Sequence, residues 1–329
     1  MSSHPIIFLT GHRKSGTSVF HRLFDGHSQV CCYPVDISIF YAYFPCFTND
    51  MSVSSQDLRN RLELVVRKSM KKLEWWLVQQ NFSLDGFVKN FVGRIQDEQL
   101  RNRALVLDAL RQSWLKTAGC SDLNIPVVFK ETSQAGFFEQ LRSDFPSLRM
   151  VSIIRDPRDN YAALKAGVKK YYSRFGESDN MTLASLLNRV RFDLKAAEVN
   201  QRLYPKNFLA IKFEDLVESP QNTMENVSRF LGISFEDAML RPTFLGEIYK
   251  GNNHDGVPMS GISKQNLGRW EQRISEEEAM IIEYWLKDVM EIWGYRMRFP
   301  VESSQMAFSN FYSWYNCKYF YHDTFQNQN

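Results

Sequence analysis

The residues with the clearest potential for chemistry lie in the segment GHRKSGTS, residues 11–18. Gly11 and Gly16 have the spacing of a phosphate-binding loop, G-x-x-x-x-G-K-[ST], but Thr17 stands where that loop has its lysine. In enzymes that use ATP, this lysine reaches the β- and γ-phosphates. The lysine of the present segment, Lys14, precedes the second glycine and is expected on the outer rim of the loop. This position favours a donor with one 5′-phosphate and a transferable group beyond it.

Two separate anion sites are predicted. At the first, an apolar strand, a glycine loop and a helix start direct backbone N–H groups toward one anion, and Thr17 and Ser18 add hydroxyl donors. The second is RDPRD, residues 155–159. Arg155 follows an apolar strand, and ligands of open parallel sheets bind at the carboxyl ends of the strands. A nucleotide with two separate phosphates needs both sites.

Five apolar segments are predicted to be the strands that position these residues. They are residues 5–9, 29–33, 125–130, 148–154 and 207–213. Helical patterns alternate with the later strands, which is typical of a mostly parallel sheet with helices on both faces. Residues 36–124 show helical patterns and no strand pattern, so they are predicted to be a helical insertion after the second strand. The expected fold is a three-layer α/β domain.

Two later helices have clear end signals. Pro220 follows Ser219 at a predicted helix start, and Gly232 ends that helix. Ser275 and Glu278 have the spacing of a capping box at the start of the next long helix.

Composition and charge narrow the range of functions. The 329 residues include 40 Lys and Arg against 37 Asp and Glu, and a net charge of +3 gives no basis for general nucleic-acid binding. The five cysteines lack zinc-site or framework spacing, which favours a reducing compartment and no metal site. No apolar run is long enough for a membrane span or a signal peptide, so a cytoplasmic protein is expected.

Residues 1–329 are interpreted as one domain because the sequence has no internal repeat and no low-complexity linker. The C-terminal tail, residues 296–329, is aromatic without a clean period. The sequence leaves open whether this tail packs on its own domain or on a second subunit of a homo-oligomer.

Four segments, in the right order, resemble the sulfotransferases that use 3′-phosphoadenosine 5′-phosphosulfate (PAPS). PIIFLTGHRKSGTSVFHRLFDGH resembles their 5′-phosphosulfate loop, and VSIIRDPRDNYAALKAG resembles their 3′-phosphate segment. FLAIKFEDLVESPQNTMENVSRFLGI and RWEQRISEEEAMIIEYWLKDVMEIWGY resemble later parts of the same fold. The resemblance covers about residues 5–35 and 125–295, and in motif style it is closest to tyrosylprotein and carbohydrate sulfotransferases.

The resemblance implies a P-loop-type fold, PAPS as co-substrate without a metal, and a hydroxyl-bearing acceptor that is a small molecule, a saccharide or a tyrosine. A basic late loop closes over the nucleotide in these enzymes, which makes Lys264 and Arg269 candidates here, and YKGN, residues 249–252, is a second candidate segment for that role. Ala163 stands where the family usually has a serine that touches the 3′-phosphate. The expected nucleotide-binding residues are Arg13, Lys14, Ser15, Gly16, Thr17, Ser18, Arg155, Lys264 and Arg269.

The resemblance also suggests catalytic roles. Lys14 is expected to stabilise the leaving phosphate oxygen, and Lys130 to face the sulfuryl group. Asp36 is the candidate base for the acceptor hydroxyl. The rival bases are Glu131, His12, His27 and His254.

Two other functions stay open at this point. A small nucleoside or metabolite kinase also needs a glycine loop, although Thr17 replaces its lysine and no Mg²⁺-binding aspartate is evident. A nucleotide-binding module without catalysis is the second alternative, favoured if Lys14 and Lys130 do not act on one group.

Overall fold

The computed structural model describes residues 6–43, 53–168, 178–251 and 261–321, with side chains described as far as residue 316. The strands are β1 Ile7–Thr10, β2 Cys31–Asp36, β3 Val127–Lys130, β4 Arg149–Ile154, β5 Phe208–Lys212, β6 Thr243–Phe244 and β7 Glu247–Ile248. The helices are α1 Thr17–Arg22, α2 Ser55–Met70, α3 Glu74–Gln79, α4 Leu84–Val92, α5 Arg103–Thr117, α6 Phe138–Asp144, α7 Pro157–Lys165, α8 Asp179–Leu203, α9 Phe213–Glu218, α10 Pro220–Leu231, α11 Trp270–Arg273, α12 Glu276–Ile292 and α13 Val301–Tyr321.

The first five strands form one parallel sheet in the order β2-β3-β1-β4-β5. The connection from β3 to β4 crosses β1, so β2 and β3 lie on one side of β1 and β4 and β5 on the other. Ligands of open parallel sheets bind at the carboxyl ends of the strands, at the point where the strand order reverses in this way. The α/β fold, the five parallel strands and the helical insertion are confirmed. β2 extends further than predicted, so Asp36 is its last residue rather than the first of the insertion.

Alternate side chains of each central strand enter different cores, which is why these strands are apolar throughout. In β1, Ile7 and Leu9 pack with α1 and α10 on one face, whereas Phe8 packs with the insertion helices on the other. Both faces of the sheet are therefore covered, as expected for a three-layer fold.

The helix ends follow their sequence signals. Gly232 ends α10 in the left-handed conformation at φ 70°, and Ser275 and Glu278 form both bonds of the capping box at α12. Ser219 precedes α10 as predicted, with Pro220 in the first turn, but its side chain makes no capping hydrogen bond.

Within the C-terminal tail, residues 301–321 form α13, which packs along α12. The Phe308 ring is stacked on the Trp285 ring at 5.0 Å between centroids. Along the described ranges, no helix has both the length and the apolar character that a membrane crossing requires. The single-domain assignment for residues 1–329 stays a prediction.

Candidate active site

The loop between β1 and α1 needs its two glycines because other chain segments touch its backbone. Gly11 has φ +149°, and a Cβ there would lie 2.3 Å from the carbonyl oxygen of Ile153. Gly16 has φ +93°, and a Cβ there would lie 2.4 Å from the Phe213 ring. The glycine spacing therefore reflects close packing of the loop on β4 and on the start of α9.

A pocket opens beside this loop, at the carboxyl edge of the sheet. The loop, one face of α7, the helix α9 and a late loop (residues 261–269) border it. The predicted nucleotide-binding residues that line it are Lys14, Gly16, Thr17, Ser18, Arg155 and Arg269. Ala163 lines it as well, so the position of the usual serine does face the pocket.

Arg155 joins the two loops at the pocket. Its guanidinium donates through Nη1 to the carbonyl of Lys14 at 3.0 Å and through Nη2 to the carbonyl of Asn266 at 2.5 Å. It lies 4.7 Å from the centre of the Phe213 ring. Burial lowers the pKa of Arg155, partly offset by the charge of Asp159, but an arginine of this kind stays protonated. Among the described residues, its buried Nε has no hydrogen-bond partner.

Asp159 holds the late loop against α7. Its carboxylate accepts hydrogen bonds from the backbone N–H groups of Gly268 at 2.8 Å and Trp270 at 2.9 Å. It also lies 3.8 Å from Arg155. Burial raises the pKa of Asp159, and Arg155 and the two N–H groups act against that shift. The pocket is therefore assembled by contacts among three distant segments.

Three predicted binding residues are not among the described pocket-lining residues. Arg13 points to α8, where its Nη2 donates to Ser185 Oγ at 3.3 Å. Ser15 is buried, and its hydroxyl accepts a bond from Asn160 Nδ2 at 2.9 Å. Lys264 lies in the late loop, in a short 3₁₀ turn. Their assignment to the nucleotide stays a prediction.

The predicted catalytic residues on β2 and β3 lie together at the same edge of the sheet. Asp36 and Lys130 are register neighbours and form an ion pair. The Lys130 side chain is 7% exposed and the Asp36 side chain 38% exposed, so the carboxylate is the more accessible partner. Lys130 is therefore a paired residue at the edge of the sheet and not a solvated strand-end lysine.

Glu131, the alternative candidate for the base, is buried, and both of its carboxylate oxygens accept hydrogen bonds. One carboxylate oxygen accepts from the Ser38 N–H at 3.0 Å and the other from the Thr132 N–H at 3.0 Å. Burial, together with the charge of Asp36, raises the pKa of Glu131 to about 7.

Tyr249 and Arg22 connect this ion pair to the pocket. Tyr249 lines the pocket, and its hydroxyl interacts with Ser18. The Arg22 guanidinium lies 5.7 Å from the Tyr249 ring and donates to the Pro34 carbonyl on β2 at 2.6 Å. Asp36 also acts electrostatically on Tyr249, so the ion pair lies near the pocket, although neither Asp36 nor Lys130 is among the described residues that line it.

The histidines among the alternative candidates for the base are His12, His27 and His254. His27 Nε2 bonds to the carbonyl of Ser234 at 2.9 Å and its Nδ1 accepts from the Gln29 N–H at 3.0 Å, so both ring nitrogens hold local structure. His12 is buried beside Asp193. His254 lies outside the described residues. Within the ranges that the structure covers, no three His, Cys, Asp or Glu side chains are grouped to hold a metal ion.

Several residues that line the pocket lie outside the predictions from the sequence, among them Phe213, Asn266 and Arg273. Tyr249 and Gly251 of the candidate segment YKGN also line it. Arg273 had a usable signal, because it follows Arg269 by four residues and so shares a helix face with it. Phe213 had none, since an aromatic residue after an apolar strand more often belongs to a core.

Comparisons with known proteins identify the family and the fold of this chain. A profile described as "Sulfotransferase family" matches residues 5–237. The sulfotransferase domain from the Synechococcus PCC 7002 olefin synthase is 16% identical, with a TM-score of 0.58 over 90% of this chain and 96% of that chain. The sulfotransferase domain from the curacin biosynthetic pathway is 15% identical, with a TM-score of 0.55 over 91% of this chain and 100% of that one. At such identities the two structures establish a shared fold.

Proposed function

The chain belongs to the sulfotransferase family, and on that premise we propose that it transfers the sulfuryl group of PAPS to a hydroxyl group of an acceptor. The observation that carries this proposal is the composition of the pocket. Lys14 and the hydroxyls of Thr17 and Ser18 share one pocket with Arg155, Arg269 and Arg273. A nucleotide with phosphates on both its 3′ and 5′ oxygens needs cationic groups from two separate segments, and this pocket has them.

The residues present fit such a ligand. Arg155 keeps a buried Nε without a partner among the described residues, and its position between two loops favours an anion that both loops contact. PAPS supplies an activated sulfuryl group on its 5′-phosphate. Lys14, on the rim of the loop, stabilises the negative charge that develops on the leaving phosphate oxygen.

The acceptor approaches from the side opposite the leaving oxygen, because sulfuryl transfer resembles in-line phosphoryl transfer. Lys130 and Asp36 lie at the ends of β3 and β2, beside the loop. Lys130 attracts the outer sulfuryl oxygens, and Asp36 takes the proton of the acceptor hydroxyl. Asp36 is better suited than Glu131 because its carboxylate is more exposed, whereas both Glu131 oxygens accept backbone N–H groups. The acceptor is a small molecule, a saccharide or a tyrosine.

Calorimetry tests the donor. We expect adenosine 3′,5′-bisphosphate to bind in the presence of EDTA, and to bind more tightly than adenosine 5′-phosphate or ATP with Mg²⁺. Arg155→Ala should remove most of the preference for the second phosphate, because a charge-assisted contact contributes about 1.5–3 kcal/mol, roughly tenfold to a hundredfold in affinity. Equal binding of the two adenosine nucleotides by the wild-type protein would contradict a two-phosphate pocket.

Transfer itself is tested with ³⁵S-labelled PAPS and a panel of acceptors. The panel contains 4-nitrophenol, a tyrosine peptide and an oligosaccharide, with water as the acceptor in a control without additions. Labelled product from at least one acceptor supports the proposal. Tight bisphosphate binding without release of label to any acceptor or to water would favour the non-catalytic alternative.

A further inference from the structure

A buried polar cluster joins the phosphate loop to α8 and to the turn after β3. His12 Nδ1 lies 2.7 Å from Asp193 Oδ2, and the Ser133 hydroxyl donates to the same oxygen at 2.9 Å. His12 is 3% exposed and Asp193 5% exposed. The roles proposed above for Lys14, Lys130 and Asp36 leave this cluster without a function.

His12 begins the turn that presents Lys14. The Ser15 N–H donates to the His12 carbonyl at 3.1 Å and closes a four-residue turn over residues 12–15. Lys14, the third residue of that turn, has φ +66°, which few residues other than glycine adopt. The direction of the Lys14 side chain therefore depends on a strained turn whose first side chain is anchored to Asp193.

Ser133 ties the same carboxylate to the segment that carries Lys130. Its N–H donates to the Gly11 carbonyl at 3.0 Å, and its own φ is +56°. Asp193 thus holds two segments with left-handed residues, one after β1 and one after β3. The two candidate catalytic lysines lie close to these anchors in the chain.

The protonation state of His12 agrees with a role as a hydrogen-bond donor. Burial lowers the pKa of His12, which Asp193 partly opposes, so the ring is neutral near pH 7 and donates its Nδ1 proton to the carboxylate. The other charged groups that act on the ring are Arg13 of the loop and Arg189 of α8. A buried carboxylate costs several kcal/mol unless it is well paired, so such a cluster persists only where its geometry is good.

We propose that His12, Ser133 and Asp193 are positioning residues that fix the turn of Lys14 relative to the segment of Lys130. This inference rests on the proposed function, because it assumes that both lysines act on the sulfuryl group. We therefore expect that substitutions in the cluster lower turnover far more than nucleotide affinity, since a displacement of a catalytic group by about 1 Å can cost a hundredfold in rate.

Three substitutions of His12 separate positioning from direct catalysis. Asparagine keeps an N–H near the position of Nδ1, glutamine keeps one near Nε2, and alanine keeps neither. We expect kcat of His12→Asn to stay within about threefold of wild type, and kcat of His12→Gln and His12→Ala to fall about tenfold to a hundredfold. KM for PAPS and the Kd of adenosine 3′,5′-bisphosphate should change by less than about threefold in all three variants. The rate is measured with the acceptor that the panel identifies, or as bisphosphate release by transfer to water.

The matched control is Asn200→Ala. Asn200 is also a buried polar residue of α8, and its Nδ2 donates to the Ala135 carbonyl after β3 at 2.7 Å, but it makes no contact with the phosphate loop among those described. It should lower stability and leave kcat unchanged. An equal loss of kcat in Asn200→Ala would mean that the rate follows general packing of α8, which overturns the proposal.

Other outcomes also overturn it. His12→Asn as slow as His12→Ala, with the acidic limb of the pH–rate profile changed, would make His12 a base that acts through Nε2. A crystal structure of His12→Ala, or of Ser133→Ala if the first variant does not fold, must show a changed Lys14 turn; an unchanged turn rejects positioning without any activity measurement. Failure of the proposed function looks different, because then the wild-type protein binds no bisphosphate or transfers nothing.

Discussion

Lys14 is the residue on which the proposed chemistry depends most. It lines the pocket, it lies on the rim of the loop, and its backbone carbonyl receives the Arg155 guanidinium. Lys14→Ala keeps that carbonyl and removes the side chain beyond Cβ, including the ammonium group. We expect kcat to fall about a hundredfold to a thousandfold, because loss of one preorganised donor to developing charge costs about 2.7–4 kcal/mol. Bisphosphate affinity should change little by calorimetry.

Lys130 provides the partner experiment. Lys130→Ala should also lower kcat, and the double variant should lose less than the sum of the two single effects if both lysines act on one sulfuryl group. A variant of Lys14 that binds the bisphosphate poorly but turns over normally at saturation would make Lys14 a binding residue instead.

Asp36 and Glu131 are distinguished by matched isosteric substitutions. Asp36→Asn removes the basic carboxylate at the ion pair with Lys130, and we expect a loss of about a hundredfold to ten-thousandfold in kcat with intact bisphosphate binding. Glu131→Gln should lower kcat much less, because the Glu131 oxygens are bound to backbone N–H groups. Near-normal turnover of Asp36→Asn together with a severe loss in Glu131→Gln would assign the role of base to Glu131, which follows β3.

At the scale of elements, the contact between the phosphate loop and the start of α9 shapes the pocket. Gly16→Ala places a methyl group against the Phe213 ring and forces φ +93° on a residue with a Cβ. We expect a stability loss of about 1–3 kcal/mol from overpacking, in addition to the backbone strain. Bisphosphate affinity should fall more than about tenfold, because Gly16, Phe213 and Arg155 all line the pocket.

Gly26→Ala is the matched control. Gly26 has φ +81°, but a Cβ there would meet no described atom within 4 Å. This variant should show only the cost of the left-handed backbone, about 1 kcal/mol, and unchanged bisphosphate affinity. The difference between the two variants, measured by denaturant unfolding and calorimetry, isolates the packing of the loop on Phe213.

At the scale of the whole molecule, Glu131 links stability to pH. Its pKa is raised from 4.5 to about 7 by burial and by Asp36, so the folded protein keeps a proton that the unfolded chain has lost. The resulting stability is fully present below about pH 4.5 and is lost as the pH rises through about 7. In urea unfolding, this contribution should amount to about 3 kcal/mol. Glu131→Gln should lack this decline, and an identical pH dependence in both proteins would contradict it.

The strands, the helix ends and the loop that borders the pocket are all predictable from the amino-acid sequence. Each strand of the sheet is a short apolar segment, and local signals such as the capping box of Ser275 and Glu278 set helix ends, because these features depend on neighbouring residues alone. The glycine spacing located the loop, and the position of Arg155 after a buried strand located the second basic segment of the pocket.

The hydrogen-bond partners of the polar side chains, in contrast, become apparent in the folded chain alone. Arg155 bonds to the carbonyl of Lys14, 141 residues away, Ser15 bonds to Asn160, 145 residues away, and Arg13 bonds to Ser185, 172 residues away. A loop of identical sequence could direct these groups into the pocket or into α7 and α8. The outcome depends on which donors and acceptors the folded chain brings within hydrogen-bond distance, and no local pattern encodes contacts between segments so far apart.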